Sequence, residues 1–237
     1  LHPRVRRQRQ MCIRDRICFW HSAPFYQHGG EYRGVELHYF ARLRIVGGGY
    51  YLVARRSAFD LCLPIVFVDG DSFDVSNLNR QLLATEATIG KSKAEAAKER
   101  AALVNPSVEF MAIGKYITQE NAADTIAGHN IVIDALDSVS ARLLLEDACA
   151  QADIPLIHGA VCGWCCQYGV SMPGSGLLHR IYSGAVPKDN GVLPFVPPFC
   201  AALQCTEAAK LLTGRQVSAN KLYIYDLCSM DFEVINL

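Results

Sequence analysis

At 237 residues, 51% of them hydrophobic, the chain is long enough to bury a sizeable core, and one large domain is the simplest expectation. Its 23 basic and 23 acidic side chains cancel to a net charge of zero, so no overall field draws it to nucleic acid or to an anionic membrane. Ten cysteines scattered through apolar runs, no apolar stretch of the roughly 18–20 residues that span a bilayer, and an arginine-rich start with no apolar segment behind it argue against a disulfide scaffold, a membrane protein and an exported one. The expected location is the cytoplasm.

Residues 1–42 are rich in arginine, histidine and aromatic side chains and show no sustained strand or helix period, so they are expected to form an irregular leader before a single domain at 43–237. Within the leader, "MCIRDR" (11–16) resembles a translated adaptor remnant, which would make the residues upstream of it non-native. "LRIVG" and "PIVFVD" are apolar runs of strand length with an amphipathic stretch between them, a βαβ opening. Lys93 to Val104 combines strong helix formers with an apolar face, Asn105 and Pro106 stop it, and "VEFMAI" is the next strand. Thr118 is positioned to cap a helix running to about Ala127, "NIVIDAL" reads as a buried strand, and "SARLLLEDACAQA" as a helix with Ser138 or Ser140 near its start. "PLIHGAV" and "CQYGVSM" follow as strands, and residues 173–198, rich in Gly and Pro, read as a long loop. A helix from about Phe199 to Leu212, closed by Gly214, and a hairpin of "KLYIYDL" with "FEVINL" end the chain. The fold class is α/β: a Rossmann-like, mainly parallel sheet with helices on both faces and an antiparallel C-terminal extension.

In such a sheet, ligands bind outside the carboxyl ends of the strands, and an acidic residue about 20 positions after a glycine turn can accept ribose hydroxyls. Gly47 and Gly49 supply a short G-x-G, and Asp69 stands at that distance, followed within "DGDSFDVSNLNRQ" by Asp71, Asn77, Arg80 and Gln81. Arg80 and Lys93 are cations available to phosphates, Asn77 and Gln81 can orient them, and Asp137, ending "NIVIDALD", is placed to hold a magnesium ion. Each also has a plainer reading: Arg80 paired with Asp71 on the surface, Lys93 a solvated lysine in a first helical turn, Asp137 a helix cap. Together they form a set suited to a triphosphate, where a dehydrogenase would need little beyond glycines and one ribose carboxylate.

"VFVDGDSFDVSNLNRQLL", "IGKSKAEAA", "NP", "IVIDALDS" and "PLIHGAVCGW" resemble, in order and spacing, the ThiF/MoeB/HesA family related to ubiquitin-activating enzymes. The resemblance implies an adenylyltransferase that uses ATP and Mg2+ to activate the C-terminal carboxylate of a small ubiquitin-like or sulfur-carrier protein, working as a homodimer. It implies that Asp69 binds ribose, that Asn77, Arg80 and Lys93 contact the triphosphate, and that Asp137 holds the magnesium ion.

The chain also departs from that pattern. The two C-x-x-C pairs of zinc-bearing members are missing from their places, so no structural zinc is expected, and Cys162 and Cys165 are expected to pack in apolar surroundings. Residues 173–198 contain no cysteine for a thioester or persulfide, and Cys200 is expected to be packed at a helix start. The glycine loop reads "GGGYYL" where the family has G-x-G-G-x-G, so a non-catalytic binding protein of the same fold is a competing reading. A tRNA-modifying dehydratase of the same family is another, disfavoured by the neutral charge, and an NAD-dependent oxidoreductase ranks last because it leaves Arg80 and Lys93 without a role.

Overall fold

The computed structural model describes residues 43–46, 64–183 and 191–237, the first of these segments by its backbone course alone. The leader, Gly47, Gly49, the stretch to residue 63 and part of the Gly/Pro-rich loop lie outside the described residues. Eight strands, β1 (Leu43–Val46), β2 (Ile65–Val68), β3 (Phe110–Ile113), β4 (Ile131–Asp134), β5 (Leu156–Cys162), β6 (Cys165–Ser171), β7 (Lys221–Asp226) and β8 (Asp231–Asn236), form one sheet in the order β3-β2-β1-β4-β5-β6-β7-β8. Pairing is parallel from β3 through β5 and antiparallel from β5 to β8. Strand order reverses between β1 and β4, which makes the carboxyl ends of β1, β2 and β4 the rim of the ligand crevice in a sheet of this kind.

Because side chains alternate across a strand, the two faces of the sheet can be read from the sequence of its central strands. Ile65, Phe67, Ile131, Ile133 and Ile157 belong to one core, with Ala94, Ala96 and Ala97 of α1 (Lys93–Val104) and with Ala208 and Leu212 of α5 (Val196–Leu212). Val66, Val68, Val132 and Leu156 belong to the other, with α2 (Ala122–Ile126), α3 (Val139–Gln151) and α4 (Leu177–Tyr182). Both faces are therefore covered, and β2 and β4 are buried along their whole length, which is why Ile65–Val68 and residues 131–133 read as unbroken apolar runs.

α1 lies close on the sheet because the residues it turns inward, Ala94, Ala96, Ala97 and Ala101, are small. Ser92 caps it, its hydroxyl accepting the Glu95 N–H at 3.4 Å. α5 buries Val196, Cys200, Gln204, Ala208 and Leu212, one residue per turn along a single stripe. It begins earlier than the sequence suggests, at Val196 instead of Phe199, because proline is well suited to a first helical turn, where no intrahelical N–H partner is lost.

Three other local expectations change. The helix after Thr118 is only Ala122–Ile126, and its N-cap position is Asn121, whose side chain instead accepts the Thr118 N–H at 2.9 Å and donates to the Tyr116 carbonyl at 2.9 Å. Residues 173–198 are not loop throughout, since they contain α4, held at its start by the buried Glu146 carboxylate, which accepts the N–H groups of Leu178 and His179 at 2.9 and 3.1 Å. Cys162 and Cys165 face each other across the tight β5–β6 hairpin and are partly exposed, because Gly163 and Trp164 turn the chain between them.

Candidate functional site

β2 ends with its four residues buried, and the following Asp69 is carried to the rim still 5% exposed, its N–H bonded to the Ile113 carbonyl at 3.1 Å. One carboxylate oxygen accepts the Asp71 N–H at 2.8 Å, whereas the other is buried with no hydrogen-bond partner among the described residues. Burial raises this carboxyl group above its ordinary range; the Asp71 N–H and the charge of Lys93 oppose the rise, and the charges of Asp71 and Asp137 add to it. A buried oxygen without a partner costs stability and is the group that a ligand hydroxyl would satisfy.

Asp71 joins two further groups to this corner. Lys93, at the first position of α1, is 5% exposed and its Nζ donates to Asp71 Oδ2 at 2.8 Å. The hydroxyl of Tyr116 donates to Asp71 Oδ1 at 2.7 Å. Burial alone would raise the Asp71 carboxyl, but the hydrogen bonds from Lys93 and Tyr116 and the charge of Lys93 outweigh it and hold the group below its usual range. Hydrogen bonding to Asp71 correspondingly pushes the Tyr116 phenol up. The Tyr116 ring lies over Gly70 so closely that a β-carbon there would stand 2.7 Å from it, so this approach requires glycine. Asp71 is thus paired with Lys93, not with Arg80, and Lys93 is an enclosed cation instead of a solvated one.

Asn77 has a different local role from the one its neighbours in sequence suggest. Asp74 caps a single 3-10 turn, Val75–Asn77, by accepting the Ser76 N–H at 2.8 Å, while Asn77 Oδ1 accepts the Asp74 N–H at 3.0 Å. This reciprocal box fixes the loop between β2 and α1. Arg80 folds back on that loop, with Nη1 donating to the Ser76 carbonyl at 2.7 Å and to Asn79 Oδ1 at 3.0 Å. Arg80 and Gln81 border an open groove of about 350 Å³ whose other walls include Leu78, Leu82, Pro194 and Pro198.

Asp137 is exposed and lies beyond the end of its strand: β4 stops at Asp134, and Asp137 occupies the turn into α3. It does not cap that helix, because Ser138 does, accepting the Ala141 N–H at 3.3 Å. Its charge nevertheless reaches the corner just described, raising both Asp69 and Tyr116. Among the described residues no group of three or more His, Cys, Asp or Glu side chains could enclose a metal. A single exposed carboxylate fits a magnesium ion that arrives with phosphates and keeps most of its water.

Behind Asp137 is a buried polar network that reading the sequence did not single out. Asp134 and His158 are both 0% exposed and meet at 2.6 Å between Oδ2 and Nδ1. Arg142 lies with Nε 3.4 Å from the same Asp134 oxygen, an ion contact without a well-formed hydrogen bond, and donates to Leu136 O and to Tyr182 Oη. Gln204 bridges the strands from α5, its Nε2 donating to the carbonyls of Asp134 at 2.7 Å and Ile157 at 3.2 Å. The available signal was polar side chains inside apolar runs, His158 in "PLIHGAV" and Asp134 in "IVID".

Comparison with known proteins places these observations in a family. The pattern of the ThiF family matches residues 62–237. The SAMP-activating enzyme E1 of Haloferax volcanii is 32% identical over 179 residues, which cover 72% of this chain and 66% of that protein. The molybdopterin-synthase adenylyltransferase of Salmonella typhimurium is 30% identical over 219 residues, 88% of each chain. Among solved structures, E. coli MccB with ATP superposes with a TM-score of 0.66 at 20% identity, covering 83% of this chain and 63% of that one, a likeness of fold. The chain therefore spans slightly less than two thirds of two of these proteins and most of the third.

Proposed function

The chain belongs to the ThiF family, and from that premise we propose that it is an ATP-dependent adenylyltransferase that activates the C-terminal carboxylate of a small ubiquitin-like or sulfur-carrier protein. The relatives named for that activity support the reading. The observation that carries it into this chain is the corner of Asp69, Asp71 and Lys93: a buried carboxylate oxygen without a partner among the described residues, beside an enclosed cation at the carboxyl end of β2.

In the proposed reaction, Asp69 accepts the ribose hydroxyls with the oxygen that has no partner among the described residues. Lys93 exchanges Asp71 for a phosphate oxygen, and Tyr116 remains on Asp71, so the carboxylate is not stranded when the lysine leaves. Arg80 turns from its own loop toward the triphosphate, and Asn77 holds that loop in shape, with Gln81 beside it on the groove. Asp137 would hold Mg2+, which neutralises charge growing on the phosphate oxygens. A carboxylate oxygen of the carrier attacks the α-phosphorus, the bond from that phosphorus to the β-phosphate oxygen breaks, and pyrophosphate leaves with the electron pair. No protein nucleophile is needed, since this chemistry is governed by positioning and by stabilisation of charge.

The proposed assembly is a homodimer in the cytoplasm. Val75, Leu78 and Leu82 are exposed apolar side chains on the β2–α1 loop, which suits a face covered by a partner. Cys149, Cys165, Cys166, Cys200, Cys205 and Cys228 are free thiols, which suits a reducing compartment. Among the described residues, no helix is long and apolar enough to cross a membrane.

Calorimetry with ATP and magnesium on the parent chain and on Arg80→Ala tests the reading. Loss of a charge-assisted phosphate contact weakens binding by roughly tenfold or more. Two folded proteins that both fail to bind would reject it.

A further inference from the structure

Asp137 sits on an exposed turn, where a carboxylate has no surrounding core to aim it. The residue before it, however, has both of its peptide groups committed. The Leu136 N–H donates to Asp134 Oδ1 at 2.8 Å, and the Leu136 carbonyl accepts from Arg142 Nη2. Asp134 and Arg142 therefore hold the two successive peptide groups that flank Leu136, one from the end of β4 and the other from the first turn of α3.

The two clamping residues are in turn held from behind. His158 on β5 takes the second Asp134 oxygen. Its other ring nitrogen lies 3.2 Å from the Tyr182 hydroxyl and 3.2 Å from Gln167 Nε2. Tyr182 Oη accepts from Arg142 Nη1 at 3.1 Å and from Gln167 Nε2 at 3.0 Å. With the Nδ1 proton donated to Asp134 and the Tyr182 hydroxyl donating to Nε2, the single lone pair of Nε2 is taken and the Gln167 N–H is satisfied by Tyr182 Oη. Tyr182 is the last residue of α4, whose first turn Glu146 anchors from α3, so α3 grips α4 at both ends. A buried ion pair of this kind is a poor source of net stability, since apolar side chains of the same volume often do as well. It does fix geometry, and the geometry it fixes is the peptide leading into Asp137.

We propose that Asp134, Arg142 and His158 are positioning residues that hold the Leu136–Asp137 turn so that the Asp137 carboxylate meets the metal–ATP complex. This rests on the adenylating reading above. Its test uses Mn2+ as the probe, with affinity measured by electron paramagnetic resonance in the presence of saturating ATP, beside ATP affinity measured by calorimetry without metal. Arg142→Lys keeps the charge but cannot serve Leu136 O, Asp134 and Tyr182 Oη together. It is expected to weaken Mn2+ by about tenfold or more, as loss of groups that orient a metal ligand does, while ATP affinity without metal is unchanged. Asp137→Asn should show the same loss, and the double variant no further loss, because the lysine substitution acts only through Asp137.

Tyr182→Phe removes one hydroxyl and keeps the ring. It should give a smaller loss in the same direction, which keeps the test open if Arg142→Lys does not fold. Folded Arg142→Lys and Tyr182→Phe with unchanged Mn2+ affinity, or losses that multiply with Asp137→Asn, would overturn the proposal and leave the adenylating reading standing. A parent chain that takes up no Mn2+ with ATP would overturn both.

Discussion

Asp69→Asn separates a ligand-binding carboxylate from a structural one, because the two roles predict opposite effects on stability. Asp69 is 5% exposed, one oxygen is satisfied by the Asp71 N–H, and the other has no partner among the described residues. Asparagine can keep the Asp71 contact through its carbonyl oxygen and removes the charge. An unsatisfied buried polar group costs about 1–3 kcal/mol, more when charged, so relief of the charge should leave the variant as stable as its parent or more stable by about 1 kcal/mol at neutral pH. Ribose hydroxyls would lose a charged acceptor, worth about 1.5–3 kcal/mol, or roughly a 10- to 100-fold weaker ATP affinity. The pH dependence has a definite sign. Burial holds the folded-state pKa of Asp69 above its ordinary value of 3.8, so between those two values the folded state binds more protons than the unfolded one. The contribution of Asp69 to stability therefore falls as pH rises through that window, and the penalty is complete above the folded pKa. Asp69→Asn should flatten this part of the profile. Urea unfolding from mildly acidic to neutral pH, with ATP titration calorimetry, reads both quantities. A variant destabilised by about 2 kcal/mol or more with unchanged ATP affinity would show that the carboxylate is structural and refute the reasoning.

Lys93→Met keeps much of the buried stem and removes the cation. Because Asp71 is 44% exposed and keeps Tyr116, the stability loss should be only about 1 kcal/mol in a thermal melt, whereas ATP affinity should fall by roughly tenfold or more. Gly159→Ala addresses the core behind the site: the new β-carbon would stand 2.4 Å from the Gln204 side chain, which holds two backbone carbonyls from α5. Overpacking and loss of those bonds should cost about 2–4 kcal/mol by urea unfolding, and much of that cost should disappear in a Gln204→Ala background. Equal costs in both backgrounds would show that the clash is not with Gln204.

The alternation of strands and helices was legible because its causes are local. Continuous apolar runs at 65–68 and 131–133 follow from burial on both faces, and Ser92 and Ser138 cap the helices that follow them through bonds spanning three residues. The acidic residue after β2 and the lysine opening α1 were legible for the same reason, since their places follow from where the neighbouring elements stop and start. The extent of α2 was not, because Asn121 spends its side chain on the preceding turn, and α4 was hidden among glycines and prolines because Glu146, more than thirty residues away in sequence, supplies its anchor.

Partner choice was beyond the sequence altogether. Asp71 takes Lys93 across 22 residues and Tyr116 across 45, where the nearer Arg80 had looked equally available, and Arg80 bonds within its own loop. The network of Asp134, Arg142, His158 and Tyr182 gathers side chains from β4, α3, β5 and α4. Period, caps and turn residues act through contacts a few positions apart and can be read along the chain. The desolvation of Asp69, the pairing of Lys93 and the clamp on Leu136 depend on which groups lie within a few ångströms once the helices are laid on both faces of the sheet, and only the tertiary structure decides that.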